Sequence, residues 1–234
     1  RSLLLFALPM MAGSLLQQLY NVADTLIVGR ALGRDALAAV GSAFTLMTFL
    51  TSIFLGLAMG AGALFAICIG RGDMASLRRA AALALCLIGA VTAVLTGLVY
   101  ALLSPVLRFL QIPEALLGDM GGYLRIIFAG LAATFLYNYF ACLLRSAGNS
   151  AAPLWFLGGA ALLNVGLDLL FVLVCRWGVS GAAAATVIAQ YAAGLGLAVY
   201  ALRRCRELLP RREDFRFDRR TLRELLDLSL LTCV

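Results

Sequence analysis

The sequence contains no lysine and no histidine, and charged residues make up only 13% of its 234 residues. A soluble domain has about 25% charged residues, so this composition argues against a soluble protein. The absence of histidine removes the commonest general base of enzymes and a frequent zinc ligand. The six cysteines are scattered singly without a CxxC pair, which argues further against a metal or redox site.

Hydrophobic residues, by contrast, account for 63% of the chain. Apolar runs of about 20 residues or more predict helices that cross a membrane. The sequence has six such runs, and a seventh begins near Leu225. We therefore expect an all-α integral membrane protein. The six predicted spans cover roughly residues 3–28, 37–69, 80–103, 120–144, 152–174 and 180–201.

All 19 basic residues are arginine, and the formal net charge is +7. Such a charge could indicate nucleic acid binding, but the arginines lie mostly between apolar runs, and orientation in a bilayer explains them more simply. The connections alternate between arginine-rich and arginine-poor, and the richest is the 202–224 segment. The positive-inside rule predicts that the N-terminus and this segment lie in the cytoplasm. We therefore expect a multi-pass protein of the cell (inner or plasma) membrane with no nucleic acid partner.

The first predicted span carries a stripe of polar residues. Gln17, Tyr20, Asn21 and Asp24 are spaced i, i+3, i+4 and i+7, which places them on one face of a helix. A charged side chain at the centre of a bilayer costs roughly 2.5–3.5 kcal/mol on insertion scales. The stripe is therefore expected to face protein or water instead of lipid.

Two later spans carry similar pairs of polar residues. Asn164 and Asp168 are spaced i and i+4 in the fifth span, and Thr186 and Gln190 have the same spacing in the sixth. Each pair therefore lies on one helix face. The alternative to a functional role for each of these residues is a hydrogen bond that only stabilises the structure.

The depth of these residues in the membrane favours a shared site. Asp24 and Asp168 lie roughly 6–9 Å below the outer ends of spans that run in the same direction. Thr186, near the outer end of the sixth span, and Tyr123, early in the fourth, fall at a similar level. The sequence thus predicts a polar pocket in the outer half of the membrane, built by four helices.

Two carboxylates held together away from water can share a proton, or they can bind Na⁺ with amide and hydroxyl oxygens. The predicted Na⁺ ligands are Asp24, Asn164 and Asp168, and no resident cofactor is expected beyond the H⁺ or Na⁺ itself. An intramembrane enzyme would need a nucleophile with a base, or a metal cluster. No serine or cysteine accompanies the acids in a recognisable motif, so we do not expect an enzyme.

Several stretches, taken in order and spacing, resemble the multidrug and toxic compound extrusion (MATE) family, especially its bacterial, Firmicute-type members. The resemblance spans nearly the whole chain and would cover the first half of a member. The stretches are "FALPMMAGSLLQQLYNVADTLIVGRALGRDALAAVG", "GLAMGAGALFAICIGRGD", "CLLRSAGNSAAPLWF" and "LLNVGLDLLFVLVCRWGVSGAAAATVIAQ".

The resemblance implies a transporter of twelve helices in two six-helix lobes that open alternately to either side. Residues 1–201 would form the N-terminal lobe, 202–222 a cytoplasmic inter-lobe linker, and 223–234 the start of helix seven. The partner C-terminal lobe would lie outside the sequence. The family's site residues fall on Tyr20, Asp24, Tyr123, Asn164, Asp168 and Thr186, and its helix-bending proline falls on Pro9.

The implied activity is export of amphipathic, often cationic, drugs or toxic compounds across the bilayer in exchange for H⁺ or Na⁺. The choice of ion stays open because coupling acids that some members carry in the second lobe lie outside the sequence. Two alternatives remain: a flippase for lipid-linked oligosaccharides from the same superfamily, and a receptor or scaffold that transports nothing. The flippase would need a basic groove for pyrophosphate, and the scaffold would not need two acids at one depth.

Overall fold

The computed structural model of the chain describes residues 48–103, 105, 117–215 and 218–233, together with five single positions in the first predicted span. These residues are helical or lie in short connections, and none of them forms a strand. The prediction of an all-α protein is therefore confirmed for the described part of the chain. The five single positions are Met11, Gly13, Leu15, Gln18 and Val22.

Seven α-helices follow one another within the described residues from 48 to 233. The fifth continues into a π-helical segment, and two short 3₁₀ turns precede the seventh. The helices are α1 (Thr48–Gly70), α2 (Met74–Ala101), α3 (Leu117–Ala129), α4 (Leu131–Ser146), α5 (Ala151–Asp168), the π-helical Leu169–Val174, α6 (Gly178–Arg204), the 3₁₀ turns Arg206–Leu208 and Arg212–Asp214, and α7 (Arg219–Cys233).

Five segments of the described structure are long and apolar enough to cross a membrane, which makes the chain a multi-pass membrane protein. They correspond to the second to sixth predicted spans. The five segments are Thr48–Gly70, Met74–Ala101, Gly121–Ser146, Ala151–Val174 and Gly178–Arg204.

Helix α2 begins six residues before the predicted span, at Met74 instead of residue 80. Its first residue follows Asp73, whose carboxylate accepts hydrogen bonds from the backbone N–H of Ser76 at 2.9 Å and from its hydroxyl at 2.6 Å. These bonds hold the pKa of the Asp73 carboxyl below its ordinary value. The cap, and not the end of the apolar run, fixes where the helix starts.

Helix α7 likewise begins at Arg219, ahead of the apolar run that starts near Leu225. The Asp218 carboxylate accepts hydrogen bonds from the hydroxyl of Thr221 at 2.8 Å and from the backbone N–H of Arg220 at 3.0 Å. These bonds lower the pKa of the Asp218 carboxyl. Charged residues therefore form the first turns of this helix.

Helix α6 is the central helix of the bundle and packs against α3, α4 and α5. Small residues allow this close approach. A Cβ added at Gly194 would lie 2.9 Å from the carbonyl oxygen of Ala133 in α4. The small buried residues of α6 are Gly181, Ala182, Ala183, Ala185, Ala189, Ala193, Gly194, Ala198 and Ala201.

The fourth predicted span is interrupted at Gly130, where α3 ends and α4 begins. The N–H of Gly130 donates to the carbonyl of Ile127 at 2.9 Å, which tightens the chain locally into a 3₁₀ turn. The hydroxyl of Tyr191 in α6 donates to the carbonyl of Ala129 at 3.0 Å. The neighbouring helix thus satisfies a backbone group beside the interruption, as a membrane interior requires.

The segment between α6 and α7 is attached to the bundle. Leu208 and Leu209 pack against the buried core formed by α1, α2, α4 and α6. Arg78 of α2 forms an ion pair with Asp214, with 3.5 Å between Nε and Oδ2, and both side chains are largely buried. This part of the arginine-rich connection is therefore a packed element and not a free loop.

Helix α7 crosses α1 at very close range. A Cβ added at Gly60 would lie 2.5 Å from the Cα of Ser229 and 2.6 Å from its backbone nitrogen. The Ser229 hydroxyl donates to the carbonyl of Leu225, one turn earlier, and both residues are buried. Only glycine at position 60 allows the two backbones to approach in this way.

We predict that Gly60→Ala destabilises the protein by about 1–3 kcal/mol, because the added methyl group forces α7 away from α1. The measurement is the melting temperature of the purified protein in detergent. Gly97→Ala is the matched control, since Gly97 lies in α2 with nothing within 4 Å of the added Cβ. Equal melting temperatures for the two variants would contradict the close crossing.

Candidate functional site

The burial pattern of α5 is the reverse of what its composition suggests. Four of its residues are buried, and the two in its C-terminal half are the polar ones, Asn164 and Asp168. Both are 0% exposed, whereas Leu162 is 79% exposed. The helix therefore turns its polar face into the bundle and leaves leucine on the outside.

Asn164 contacts the central helix directly. Its Nδ2 donates a hydrogen bond to the hydroxyl oxygen of Thr186 in α6, at 3.4 Å. The structure thus brings together two of the residues that the sequence places in one pocket. The bond is long, so it holds the two side chains near each other without fixing them firmly.

Two amide oxygens beside this contact are buried and have no hydrogen-bond partner among the described residues. They are Oδ1 of Asn164 and Oε1 of Gln190. Most buried polar atoms in proteins are hydrogen-bonded, so such oxygens are candidates for binding an ion or a water molecule.

Gln190 lies against Gly130, where the fourth span is interrupted. A Cβ added at Gly130 would lie 2.5 Å from Oε1 of Gln190 and 3.1 Å from Cγ2 of Val187. Glycine at position 130 therefore leaves room for the Gln190 side chain. The sequence indicates a polar face at Thr186 and Gln190, but it gives no signal that this face meets a break in another helix.

Tyr123 of α3 is buried in the apolar cluster next to the polar contact. The same cluster contains Val172, one turn after Asp168, and Ala182, one turn before Thr186. Tyr123 therefore lies at the same end of the bundle as the polar residues of α5 and α6, as its position in the sequence indicates.

A π-helical segment, Leu169–Val174, begins directly after Asp168. Its wider turn is visible in the hydrogen bond from the N–H of Cys175 to the carbonyl of Leu170, five residues earlier, at 2.8 Å. Such segments are rare and occur often at functional sites. Nothing in the apolar sequence "LLFVLV" signals the π-helical turns, although the predicted span to residue 174 ends where the structure places its end.

The first predicted span meets α5 at one described position. Gly13 is buried, and a Cβ added there would lie 3.6 Å from Cδ1 of Leu154 and 3.8 Å from Cδ2 of Leu157. The other described positions of this span are exposed. The predicted site residues Pro9, Gln17, Tyr20, Asn21 and Asp24 lie outside the described residues.

Comparison with known proteins places this arrangement in a family. A family model described as MatE matches residues 9–170. The chain is 32% identical over 197 residues to the probable multidrug resistance protein YpnP of Bacillus subtilis (strain 168), covering 81% of this chain and 43% of that protein. It is also 32% identical over 239 residues to the probable multidrug resistance protein YoeA of the same strain, covering 99% of this chain and 50% of YoeA.

The same relation holds for solved structures. A multidrug resistance MATE family transporter of the MOP superfamily, solved in an outward-facing conformation, matches with a TM-score of 0.90 and 26% identity. The match covers 99% of this chain and 51% of that transporter. The chain thus spans about half the length of the relatives it matches. The agreement of sequence and fold along nearly its whole length shows that the chain belongs to the MATE family of membrane transporters.

Proposed function

We propose that the chain forms the N-terminal lobe of an antiporter that exports amphipathic, often cationic, compounds in exchange for H⁺ or Na⁺. The carrying observation is the complete burial of the polar Asn164 and Asp168 on an apolar helix, with Asn164 bonded to Thr186 of α6. The relatives named multidrug resistance proteins support the class of substrate.

A buried carboxylate rarely stabilises a folded protein. Removing a carboxylate from water is costly, and well-packed apolar residues often stabilise an interior as well or better. In a membrane segment, an ionisable residue that faces the interior is a candidate for an ion pathway. The burial of Asp168 in α5 therefore supports a functional role for it.

The atoms around Asp168 suit a small cation. Carboxylate, amide and hydroxyl oxygens are hard ligands for ions such as Na⁺. Asn164 supplies an amide oxygen that has no partner among the described residues, and Thr186 supplies a hydroxyl oxygen within reach of the same amide. Protonation of the carboxylate is the alternative, and it would remove the same negative charge.

The contact at Gly13 supports pairing of Asp24 with Asp168. Asp24 follows Gly13 by eleven residues, and Asp168 follows Leu157 by the same number. Eleven residues make about three helical turns and a rise of about 16 Å, so each acid returns to the face of its contact. We therefore expect Asp24, in a first span parallel to α5, to lie at the membrane depth of Asp168 and on the side that faces α5.

Ion occupancy would then act on the conformation of the lobe. A cation or proton on the two acids changes the charge between the first span and α5, and so favours one of two arrangements by its difference in affinity for them. Pro9 gives the first span a place to bend. The outward-facing form of a solved relative supports alternating access, with the arginine-rich linker on the cytoplasmic side.

We predict that Asp24→Asn and Asp168→Asn each abolish ion-coupled efflux, because asparagine keeps the side-chain size but can neither exchange a proton nor neutralise a cation. The measurement is efflux of a fluorescent cationic dye from an efflux-deficient host that expresses the full-length gene. Asp227→Asn is the control, since Asp227 is an exposed acid of α7. Normal transport by both site variants, at equal membrane abundance, would refute the site.

We also predict that Thr186→Val slows efflux about tenfold and that Thr186→Ser transports nearly as the wild type does. Valine keeps the shape but removes the oxygen beside Asn164, at a cost of about 1–1.5 kcal/mol. The measurement is dye efflux from proteoliposomes under an imposed Na⁺ gradient and, separately, a pH gradient. The gradient that drives transport identifies the ion, and equal rates for valine and serine would show that the hydroxyl has no role.

A further inference from the structure

The C-terminal end of α6, which the positive-inside rule predicts to be cytoplasmic, carries a groove away from the polar contact of Asn164. It has a volume of about 460 Å³ and lies between α6 and the first turns of α5. This size is within the range of small-molecule sites. The lining residues are Phe156 on α5 and, along α6, Leu195, Gly196, Val199, Tyr200, Arg203 and Arg204.

The groove is apolar along its length and basic at one end. The residues of α6 form two rows with a spacing of four, and each row ends in an arginine, Arg203 in one and Arg204 in the other. Eight residues of helix rise about 12 Å, so the apolar part extends into the membrane from the arginine level. This order, apolar inside and cationic at the membrane boundary, is the complement of a phospholipid with a negative headgroup.

The walls of the groove are held in place by contacts of their own. A Cβ at Gly196 would lie 2.7 Å from the ring of Phe156, so glycine lets this ring rest directly on α6. The rings of Phe156 and Tyr200 are 6.0 Å apart, and the Nδ2 of Asn149 donates to the Tyr200 hydroxyl at 3.3 Å. These contacts hold the aromatic wall of the groove in position.

The two arginines at the end of the groove are available for a ligand. Both are exposed, and no carboxylate of the described residues pairs with them. The next arginine differs, because the Nε of Arg206 donates to the carbonyl of Leu202 at 3.0 Å. Arg206 thus occupies the end of the helix and leaves the guanidinium groups of Arg203 and Arg204 free of that role.

We propose that this groove binds an anionic membrane phospholipid, with its phosphate between Arg203 and Arg204 and one acyl chain along Leu195, Val199 and Phe156. Basic pockets at the cytoplasmic ends of membrane helices recognise such headgroups by charge. The apolar length of the groove selects a lipid over a free phosphate ion. The site is separate from the polar contact of Asn164, which lies in the opposite half of the bundle.

The test is native mass spectrometry of the purified full-length protein with equal amounts of phosphatidylglycerol and phosphatidylcholine that carry the same acyl chains. We expect one phosphatidylglycerol to be retained in preference. The double variant R203Q/R204Q should weaken its binding about thirtyfold, the contribution expected of two basic residues at an anionic surface. Val199→Trp should reduce binding of both lipids, because it fills the apolar part of the groove.

The control is R219Q/R223Q, which removes the same charge from two exposed arginines of α7. It should retain phosphatidylglycerol as the wild type does. The proposal is overturned if the two double variants bind equally, if the two lipids are retained equally by the wild type, or if inorganic phosphate displaces the bound lipid. It is also overturned if Val199→Trp leaves lipid binding unchanged.

Discussion

The rotation of α5 about its own axis depends on one constraint: polar side chains inside a bilayer must turn toward protein. The helix is apolar nearly all round, so burial of apolar surface does not select which face points inward. Asn164 and Asp168 do select it, because exposing them to lipid would cost several kcal/mol. Leu162 and Leu163 face outward as a consequence, and the bundle accepts polar groups in its interior.

The central position of α6 depends in turn on residues that have almost no side chain. The fourth span contacts α6 at two glycines. A larger residue at Gly130 would collide with Gln190, and a larger residue at Gly194 would collide with the backbone of Ala133. Close packing of small residues is the main source of helix association in lipid, where apolar surface gives no advantage by itself. The same closeness brings Thr186 within reach of Asn164.

Much of this architecture could be predicted from the sequence, because membrane spans are a matter of length and polarity. The second to sixth spans were located to within a few residues, apart from the start of α2 and the undescribed start of the second. The meeting of Asn164 with Thr186 was also predictable, since helix periodicity and depth both limit where a polar side chain can go. These arguments need no knowledge of neighbouring side chains.

The features that could not be predicted are those that depend on a contact with another helix or on a capping side chain. The helix is interrupted at Gly130, where Gln190 and Val187 of α6 lie close, and the sequence gives no signal of this contact. The π-helical segment after Asp168 lies in a run of leucine, valine and phenylalanine that has no local signature. The starts of α2 and α7 follow Asp73 and Asp218, which extend helices into charged sequence.

The connection between α6 and α7 is attached to the bundle, and this limits how far α7 can move independently of the other helices. Leu208 and Leu209, the ion pair of Arg78 with Asp214, and the crossing at Ser229 attach it to the bundle at successive points. A connection attached at these points cannot extend without breaking the ion pair or the apolar contacts. The start of α7 is therefore held against α1 and α2, and a shift of either helix would move α7 with it.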